Sequence, residues 1–402
     1  MNYVLNSPNI GFDMKNFTKL STAAALIGLM LNLVSCRSEQ QDKEQHVAPD
    51  WVMGGFARPQ GANPVIEPDS TTAFLDPMSG DSVHWEANDT FNPAAVVKGD
   101  SIYVLYRAED KTGIKIGHRT SRLGLAASAD GISFSRQSTP VFYPDKDSQQ
   151  AFEWPGGTED PRIAETSEGQ YVMFYTQWNR EVPRLGVAFS KDLKTWDKQG
   201  PIFSRSTVIP GLVDRPHKSA SIVTELVGDK QVIAKVNGKY WMYWGEHGVY
   251  GATSDNLVDW DPVVDENGEL HAFISPREGY FDSALTECGP PAIKTDKGIL
   301  LLYNGKNHPE KGDQRFNKGT YSAGQVLFDS NDPTKVLQRM DIPFLRPMEA
   351  FEKSGQYIDG TVFIEGLVYY KKKWFLYYGC ADSKVGVAIY DPANPTNLDP
   401  LP

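Results

Sequence analysis

Short runs of apolar and aromatic residues recur along the chain, and each run is bounded by Gly, Pro, Asn or Asp. Five of these runs end in an aromatic marker residue, at Tyr106, Tyr175, Trp244, Tyr303 and Tyr378. Successive markers are 69, 69, 59 and 75 residues apart. Helical periodicity is weak throughout, whereas short apolar runs between turn-forming residues are typical of β-strands. The pattern therefore predicts a chain built almost entirely from strands.

A second repeated segment follows three of the apolar runs. It begins with Ala and ends in an aromatic residue, at residues 126–134, 188–196 and 252–260. Repeats of roughly 60–70 residues that each contain several strands are typical of propeller blades. We therefore expect an all-β fold, a five-bladed β-propeller over residues 80–395, followed by a tail at residues 396–402. A pair of β-sandwiches with similar aromatic strands is the alternative.

The N-terminus carries the pattern of an export signal. Lys15 and Lys19 precede an apolar run from Leu20 to Leu33, and Leu33-Val34-Ser35-Cys36 follows. The run is too short to span a membrane comfortably, and the last four residues are similar to a bacterial lipobox, in which the Cys is lipidated. The sequence predicts a lipoprotein signal peptide at residues 1–36 that ends at lipidated Cys36. A plain signal peptide or a short anchor helix is the alternative.

Residues 37–79 are then expected to form a polar tether and an N-terminal lead-in. The protein would be an exported bacterial lipoprotein at the outer membrane, on its periplasmic side or at the cell surface, held by lipid without a transmembrane span. The sequence leaves the membrane face and the oligomeric state open.

The charge, cysteine and histidine content limits the binding partners, disulfides and metal sites that we expect. The chain has 40 Lys and Arg against 51 Asp and Glu, a net charge of −11. This balance argues against nucleic acid and against adsorption to an anionic membrane surface. Three cysteines among 402 residues exclude a disulfide scaffold, and the pairing of Cys288 with Cys380 is left open. Seven scattered His show no metal-ligand spacing, so we expect neither metal nor cofactor.

Polar residues follow the aromatic markers at the ends of the predicted strands. In a propeller these strand ends surround one central funnel. A ring of mixed charge suits a hydroxyl-rich ligand such as a sugar, which needs both donors and acceptors. The residues expected in this ring are Arg107, Thr176, Glu246, Asn304 and Asp382.

The most distinctive local motif is the segment Gly156 to Ile163, which contains Glu159-Asp160-Pro161-Arg162. Pro161 prevents a helix and holds Asp160 in an extended or turn geometry. We expect the neighbouring charge of Glu159 to raise the pKa of Asp160, as an acid catalyst of glycoside cleavage requires. A structural ion pair between Arg162 and either carboxylate is the alternative.

Six segments in a fixed order together resemble glycoside hydrolase family 130 over about residues 85–392. They are Asn92–Ala95, Leu105–Ala108, Leu123–Gly131, Thr158–Arg162, Leu300–Gly305 and Tyr377–Asp382. The resemblance implies a five-bladed propeller that acts on β-mannosides with inversion. Most members are phosphorylases, and a smaller group are β-1,2-mannosidases that use water.

The resemblance also assigns roles to residues. It implies that Asp160 is the proton donor, acting in the phosphorylases through a substrate hydroxyl. Asn304 stands where many members have His. The positions that match the lining of the mannose pocket are Asn92, Arg107, Arg122 and Asp382.

Two glutamates favour hydrolysis over phosphorolysis. Phosphorylases of the family carry His-Arg-Pro after the third aromatic strand, whereas this chain has Gly245-Glu246-His247. Glu287 likewise precedes the Gly-Pro-Pro element at residues 289–291. Two carboxylates repel phosphate but suit a base that deprotonates water. The resulting prediction is an inverting, exo-acting β-mannosidase of non-reducing-end β-1,2-linked mannosides. The sequence does not decide which Glu is the base, nor the linkage and the preferred chain length.

Three alternatives remain open. Lys218, at the end of a basic cluster from Asp214, is a candidate phosphate or substrate ligand, as in a β-mannoside phosphorylase that releases mannose 1-phosphate. A glycosidase acting on arabinosides or fructosides would use an early base such as Asp89. A non-catalytic glycan-binding lipoprotein is the alternative outside the enzymes.

Overall fold

β-Strands make up nearly all of the regular structure in the computed structural model, which describes residues 48–115 and 117–402. The helical elements of these residues are one short helix, α1 (Gln150–Glu153), and two 3-10 turns, Leu212–Asp214 and Ala350–Lys353. None of the helices in this part of the chain has the length and hydropathy needed to cross a bilayer. The predicted all-β class is confirmed. The predicted signal peptide, with Cys36, lies outside the described residues.

The described strands form four hydrogen-bonded sheets of two, eight, eleven and three strands. Short parallel pairings, of Ser121 with Gly157 and of Val223–Thr224 with Ala292–Ile293, divide the two large sheets, so we describe the strands as one hairpin and five mainly antiparallel groups. The hairpin pairs β1 (Phe74–Leu75) with β2 (Ser82–Val83). Group 1 contains β3 (Asp89–Lys98), β4 (Ser101–Glu109), β5 (Ser121–Ser128) and β6 (Ser135–Arg136). Group 2 contains β7 (Gly157–Glu165), β8 (Tyr171–Trp178), β9 (Pro183–Ser190) and β10 (Asp197–Pro201).

Group 3 contains β11 (Ala220–Val227), β12 (Lys230–Ile233), β13 (Lys235–Val236), β14 (Lys239–Trp244), β15 (Tyr250–Ser254) and β16 (Asp261–Pro262). Group 4 contains β17 (Leu285–Cys288), β18 (Ala292–Thr295), β19 (Gly298–Lys306), β20 (Tyr321–Phe328) and β21 (Val336–Arg339). Group 5 contains β22 (Val362–Tyr370), β23 (Lys373–Cys380) and β24 (Lys384–Tyr390).

Five hydrophobic clusters lie between these groups. Each cluster joins apolar side chains from two neighbouring groups, and burying each large apolar side chain contributes roughly 1.5–3 kcal/mol. Representative pairs are Leu105 with Ile163, Phe174 with Met242, Val223 with Leu301, Leu302 with Leu376, and Tyr377 with Val104. The last pair joins group 5 to group 1, so every group packs against two others.

Four of the five aromatic markers make the same buried contact. The phenol of each donates a hydrogen bond of 2.7–2.8 Å to a carboxylate that lies upstream in the chain and is 0% exposed. Each carboxylate also pairs with a cation, and Asp282 pairs with Arg277 in addition to Arg339. The triplets are Tyr106–Glu86–Arg136, Tyr175–Glu153–Lys198, Tyr303–Asp282–Arg339 and Tyr378–Glu352–Arg58. The fifth marker, Trp244, donates its Nε1 proton to the carbonyl of Gly251 instead, at 3.0 Å.

In groups 1, 2 and 4 the cation belongs to the last strand of the group, but in group 5 it comes from the N-terminal segment. Ala57 pairs with Ile389 of β24 through two backbone hydrogen bonds of 2.9 and 2.8 Å. The next residue, Arg58, lies 2.6 Å from Glu352 and 3.2 Å from Asp399 of the predicted tail. The lead-in and the tail are therefore both packed against group 5.

Replacement of Arg58 by Gln is expected to lower the free energy of unfolding by about 3–5 kcal/mol, because it leaves Glu352 buried without its counter-charge. Urea unfolding followed by tryptophan fluorescence measures this difference. Arg205→Gln is the control, since the Arg205–Asp259 pair is solvent-exposed and should contribute less than about 1 kcal/mol. Equal losses in the two variants would contradict the role given to Arg58.

Candidate active site

A cavity of about 300 Å³ gathers most of the residues that the sequence singled out. Seven of the nine predicted catalytic and substrate-binding residues line it: Asn92, Arg107, Asp160, Lys218, Glu246, Glu287 and Asp382. They belong to all of groups 1 to 5 or to the loops between them. Thr176, also expected in the funnel, lines the cavity as well.

Backbone irregularities aim two of these side chains at the cavity. The β3–β4 register shifts between Phe91 and Pro93, and the β7–β8 register shifts between Glu159 and Arg162. The intervening Asn92 and Asp160 have φ of +45° and +46°, a conformation that costs about 1 kcal/mol or more for a residue other than glycine. A bulge of this kind redirects a side chain out of the strand's alternation. Asn92 Nδ2 thereby donates to Asp160 Oδ1 at 2.8 Å.

The carboxylate of Asp160 is held by cations. Arg107 Nη1 donates to its Oδ1 at 2.9 Å, and Lys218 Nζ lies 3.8 Å from its Oδ2. Burial alone would raise the pKa of Asp160, but Arg107, Lys218 and Arg162 together lower it below its ordinary range. The expectation of a raised pKa at Asp160 was therefore wrong, because these positive charges outweigh the repulsion from Glu159.

The raised pKa belongs to Glu159 instead. Burial raises the pKa of Glu159 to about 7, and the charges of Asp160 and Glu109 add to this shift. Arg107, which donates to Glu159 Oε1 at 2.8 Å, opposes it. The alternative ion pair of Arg162 with these carboxylates is also wrong, since its guanidinium lies 3.0 Å from Glu365.

Lys218 holds the two glutamates together on the other side of the cavity. Its Nζ lies 3.3 Å from Glu246 Oε1 and 3.5 Å from Glu287 Oε1. Ser219 donates its hydroxyl proton to Glu287, and burial raises the pKa of Glu287 to about 7 although Lys218 opposes the shift. Because Lys218 lies within 3.8 Å of Asp160 Oδ2 and 3.5 Å of Glu287 Oε1, these two oxygens are at most about 7.3 Å apart.

The cavity wall is strongly acidic. Its charged residues are two cations, Arg107 and Lys218, and six carboxylates, Glu109, Glu159, Asp160, Glu246, Glu287 and Asp382. The net charge is therefore −4 when all of them are ionised, and both cations are already paired with carboxylates. Burial raises the pKa of Asp382 to about 7, which lessens this repulsion in neutral solution.

The rest of the basic cluster near Lys218 does not line the cavity. Arg215 is exposed, and His217 is buried with its ring 5.1 Å from that of Phe203. Burial lowers the pKa of His217 to about 3, so its ring is neutral. This leaves Lys218 as the one member of the cluster that contacts the site carboxylates.

Two residues expected to bind substrate lie outside the lining of this cavity. Arg122 is buried between Asp76 and Asp110, at 3.0 and 2.8 Å, as a structural ion-pair network. The amide of Asn304 makes two hydrogen bonds, of 3.1 and 2.8 Å, with the backbone of Ile364. Both side chains cross-link the scaffold, which corrects their assignment to the pocket.

Several lining residues escaped the sequence analysis because they come from loops and strand ends without a repeated pattern. They are Glu109, Tyr321, Gln356, Tyr357, Thr361 and Phe363. The buried oxygens Asn92 Oδ1, Thr176 Oγ1 and Thr361 Oγ1 have no hydrogen-bond partner among the described residues. Buried polar atoms of this kind are satisfied by a ligand or water, so they suit the hydroxyls of a sugar.

Two further findings concern the cysteines and the possible metal ligands. Cys288 and Cys380 are buried free thiols. Within residues 48–115 and 117–402, no cluster of His, Cys, Asp and Glu has the arrangement of a metal site.

A family model described as β-1,4-mannooligosaccharide phosphorylase matches residues 63–394. The chain belongs to glycoside hydrolase family 130. A 1,2-β-oligomannan phosphorylase of Thermoanaerobacter sp. (strain X514) is 33% identical over 312 residues, which cover 76% of this chain and 91% of that protein. The resemblance drawn from the six sequence segments is thus confirmed.

Two solved structures are more similar. One comes from work on family 130 glycoside hydrolases that target β-1,2-mannosidic linkages in Candida mannan. It is 62% identical to this protein, with a TM-score of 0.88, and the match covers 89% of this chain and 99% of the chain in that structure. The other is a glycosyl hydrolase from Bacteroides ovatus, with 62% identity, a TM-score of 0.87 and the same coverage of both chains.

The raised pKa values predict that the protein loses stability as pH rises from about 5 to 7.5. Glu159, Glu287 and Asp382 have pKa values of about 7 in the folded protein against ordinary values of 4.5, 4.5 and 3.8. At these three carboxyls the folded state therefore binds more protons than the unfolded state in this range, which lowers the free energy of unfolding by about 2 kcal/mol for each carboxyl. His217, whose pKa of about 3 lies below its ordinary value of 6.5, opposes this fall by about 2 kcal/mol, so a net loss of stability remains. Thermal unfolding across this range measures the slope.

Asp382→Asn should flatten this pH dependence, because the amide does not titrate. Asp255→Asn, at a side chain that is 77% exposed, should keep the wild-type slope. A slope that is unchanged in Asp382→Asn would show that the carboxyl titrates near its ordinary pKa.

Proposed function

We propose that this family 130 protein is an inverting, exo-acting β-mannosidase that hydrolyses non-reducing-end β-1,2-linked mannosides. The observation that carries the proposal is the pair Glu246 and Glu287, which shares Lys218 opposite Asp160. The β-mannoside class is supported by family membership, and the β-1,2 linkage is supported by the names of the relatives.

We also propose that the five strand groups are the five blades of one propeller. Strands of neighbouring groups contact each other, β3 with β7, β7 with β11, β11 with β18, β20 with β22, and β22 with β3. The five hydrophobic clusters likewise form a closed cycle, including the contact of group 5 with group 1. The pairing of Ala57 with β24 supports a ring that is closed by the N-terminal segment.

In the proposed reaction, the bond between mannose C1 and the leaving oxygen breaks as water attacks C1 from the opposite face. Asp160 supplies the proton to the leaving oxygen, directly or through a substrate hydroxyl. The pKa of Asp160 is low in the free protein, so the protonated form must be favoured by the bound sugar, which excludes water and adds to the burial of the carboxyl.

Glu287 is the favoured base for water. Its pKa of about 7 places it near neutral pH, where a general base is most effective. The side chain of Glu246 is 37% exposed and contacts Lys218. Together, Glu246 and Lys218 orient the attacking water beside Glu287. The Asp160 and Glu287 oxygens are at most about 7.3 Å apart, an upper limit that allows a separation at the lower end of the roughly 6.5–9.5 Å range of inverting enzymes.

Phosphorolysis is the second candidate, since the 33% identical relative is named a phosphorylase and Lys218 lines the cavity. A phosphate dianion needs cations that are free to contact it. Arg107 and Lys218 are paired with five of the six lining carboxylates, so phosphate would have to displace these pairs in an acidic cavity. This cost favours water as the nucleophile.

Incubation with β-1,2-mannobiose, with and without phosphate, tests the reaction. We expect free mannose in both conditions, released first as the inverted α-anomer in a time-resolved NMR spectrum. Mannose 1-phosphate that forms only with phosphate would overturn hydrolysis and give Lys218 the role of a phosphate ligand.

Two variants connect this activity to the site. Asp160→Asn and Glu287→Gln should each lower kcat by about 10²–10⁴-fold because they remove the acid and the base. Titration calorimetry should still detect mannobiose binding to Asp160→Asn. A native protein that binds mannobiose without turnover would instead be a glycan-binding protein.

We further propose that the protein is exported and lipidated at Cys36, which the lipobox-like sequence Leu33-Val34-Ser35-Cys36 supports. Metabolic labelling with radioactive palmitate in a bacterial host should mark the wild-type protein and not Cys36→Ser. Equal labelling of both, or of neither, would contradict the anchor.

A further inference from the structure

Strands β7 and β22 both run from the active-site cavity to a second cavity of about 400 Å³. On β7, Asp160 lines the first cavity and Ile163 the second. On β22, Phe363 lines the first cavity and Leu367 the second. The residues between these positions therefore separate the floor of the active site from the second cavity.

Arg162 of β7 and Glu365 of β22 occupy this dividing layer. Their side chains are 1% and 0% exposed, and Arg162 Nη1 lies 3.0 Å from Glu365 Oε1. Neither oxygen of Glu365 accepts a hydrogen bond within the part of the chain that the structure describes. A buried guanidinium needs a counter-charge, and Glu365 is the carboxylate in ion-pair contact with it. Burial raises the pKa of Glu365, and the charge of Arg162 opposes this shift.

The guanidinium of Arg162 also donates hydrogen bonds to backbone carbonyls at or next to both proposed catalytic residues. Its Nη1 donates to the carbonyl oxygen of Asp160 at 2.9 Å. Its Nη2 donates at 3.0 Å to the carbonyl oxygen of Cys288, the residue after Glu287. One side chain thus links the proton donor on β7 to the base on β17.

We infer that Glu365 is a positioning residue, which holds the Arg162 guanidinium in place and thereby sets the distance between Asp160 and Glu287. The inference rests on the proposed function, because it takes these two residues as the acid and the base. Asp160 stands at a φ of +46°, a conformation that its surroundings must maintain. Misplacement of a catalytic group by about 1 Å lowers a rate by about 10²-fold.

Glu365→Gln tests this role, since it keeps the shape of the side chain and removes its charge. We expect kcat for β-1,2-mannobiose to fall by about 10²-fold, with KM within about twofold, because Glu365 and Arg162 do not line the sugar cavity. The matched control is Glu153→Gln, another carboxylate that is 0% exposed and ion-paired, to Lys198 at 2.6 Å. Glu153 lies outside the lining of the cavity, so this variant should lose stability and keep the kcat of the folded protein.

Glu365→Asp is a second variant that retains the charge, for use if Glu365→Gln does not fold. Its shorter side chain displaces the guanidinium, and we expect about a tenfold loss of kcat with KM unchanged. Wild-type kcat in either folded Glu365 variant would show that Glu365 only stabilises the scaffold. Wild-type protein that fails to hydrolyse mannobiose would contradict the proposed function instead, so the two failures are distinguishable.

Discussion

Two cations, Arg107 and Lys218, hold five of the six carboxylates around one cavity, and the rest of the structure serves to keep these charges at fixed distances. Like charges this close repel strongly where water is scarce. Arg107 contacts Glu109, Glu159 and Asp160, and Lys218 contacts Asp160, Glu246 and Glu287. The raised pKa values of Glu159, Glu287 and Asp382 express the repulsion and burial that remain. The same excess of negative charge is the reason why we propose water, and not phosphate, as the nucleophile.

The scaffold that holds these repelling carboxylates in place is a cycle of hydrophobic interfaces between strand groups. Buried triplets of tyrosine, carboxylate and cation fix four of the groups internally. The triplet of group 5 depends on Arg58 from the N-terminal segment, so the two ends of the folded chain meet at one group. A ring in which every group is packed on both sides has little freedom to let the site carboxylates move apart.

The fold class could be predicted from the sequence because the pattern of apolar strands with aromatic markers is repeated along the chain. The spacing of the aromatic markers and their buried position follow from local strand patterning, because alternate side chains of a strand face the same side. The same regularity explains the placement of Thr176, Glu246 and Asp382, which follow three of the marker residues in the chain and line the cavity. Arg122 and Asn304 show its limit. Asn304 belongs to a segment that resembles the family and Arg122 directly precedes one, yet contacts with neighbouring elements make both side chains part of the scaffold.

The sequence by itself determined the all-β class, the family and four of the six Asp and Glu residues that line the cavity, because these depend on short-range pattern and on motifs. Only the tertiary structure decided how those charges act on each other. The low pKa of Asp160 depends on cations brought from other strands, and the raised pKa of Glu159 depends on its burial beside Asp160 and Glu109, whereas adjacency in the chain predicted a raised pKa at Asp160. Arg162 and Glu365 likewise meet only across the centre of the fold, 203 positions apart in the chain. Electrostatic interactions depend on distance in space, which residue spacing along the chain does not specify.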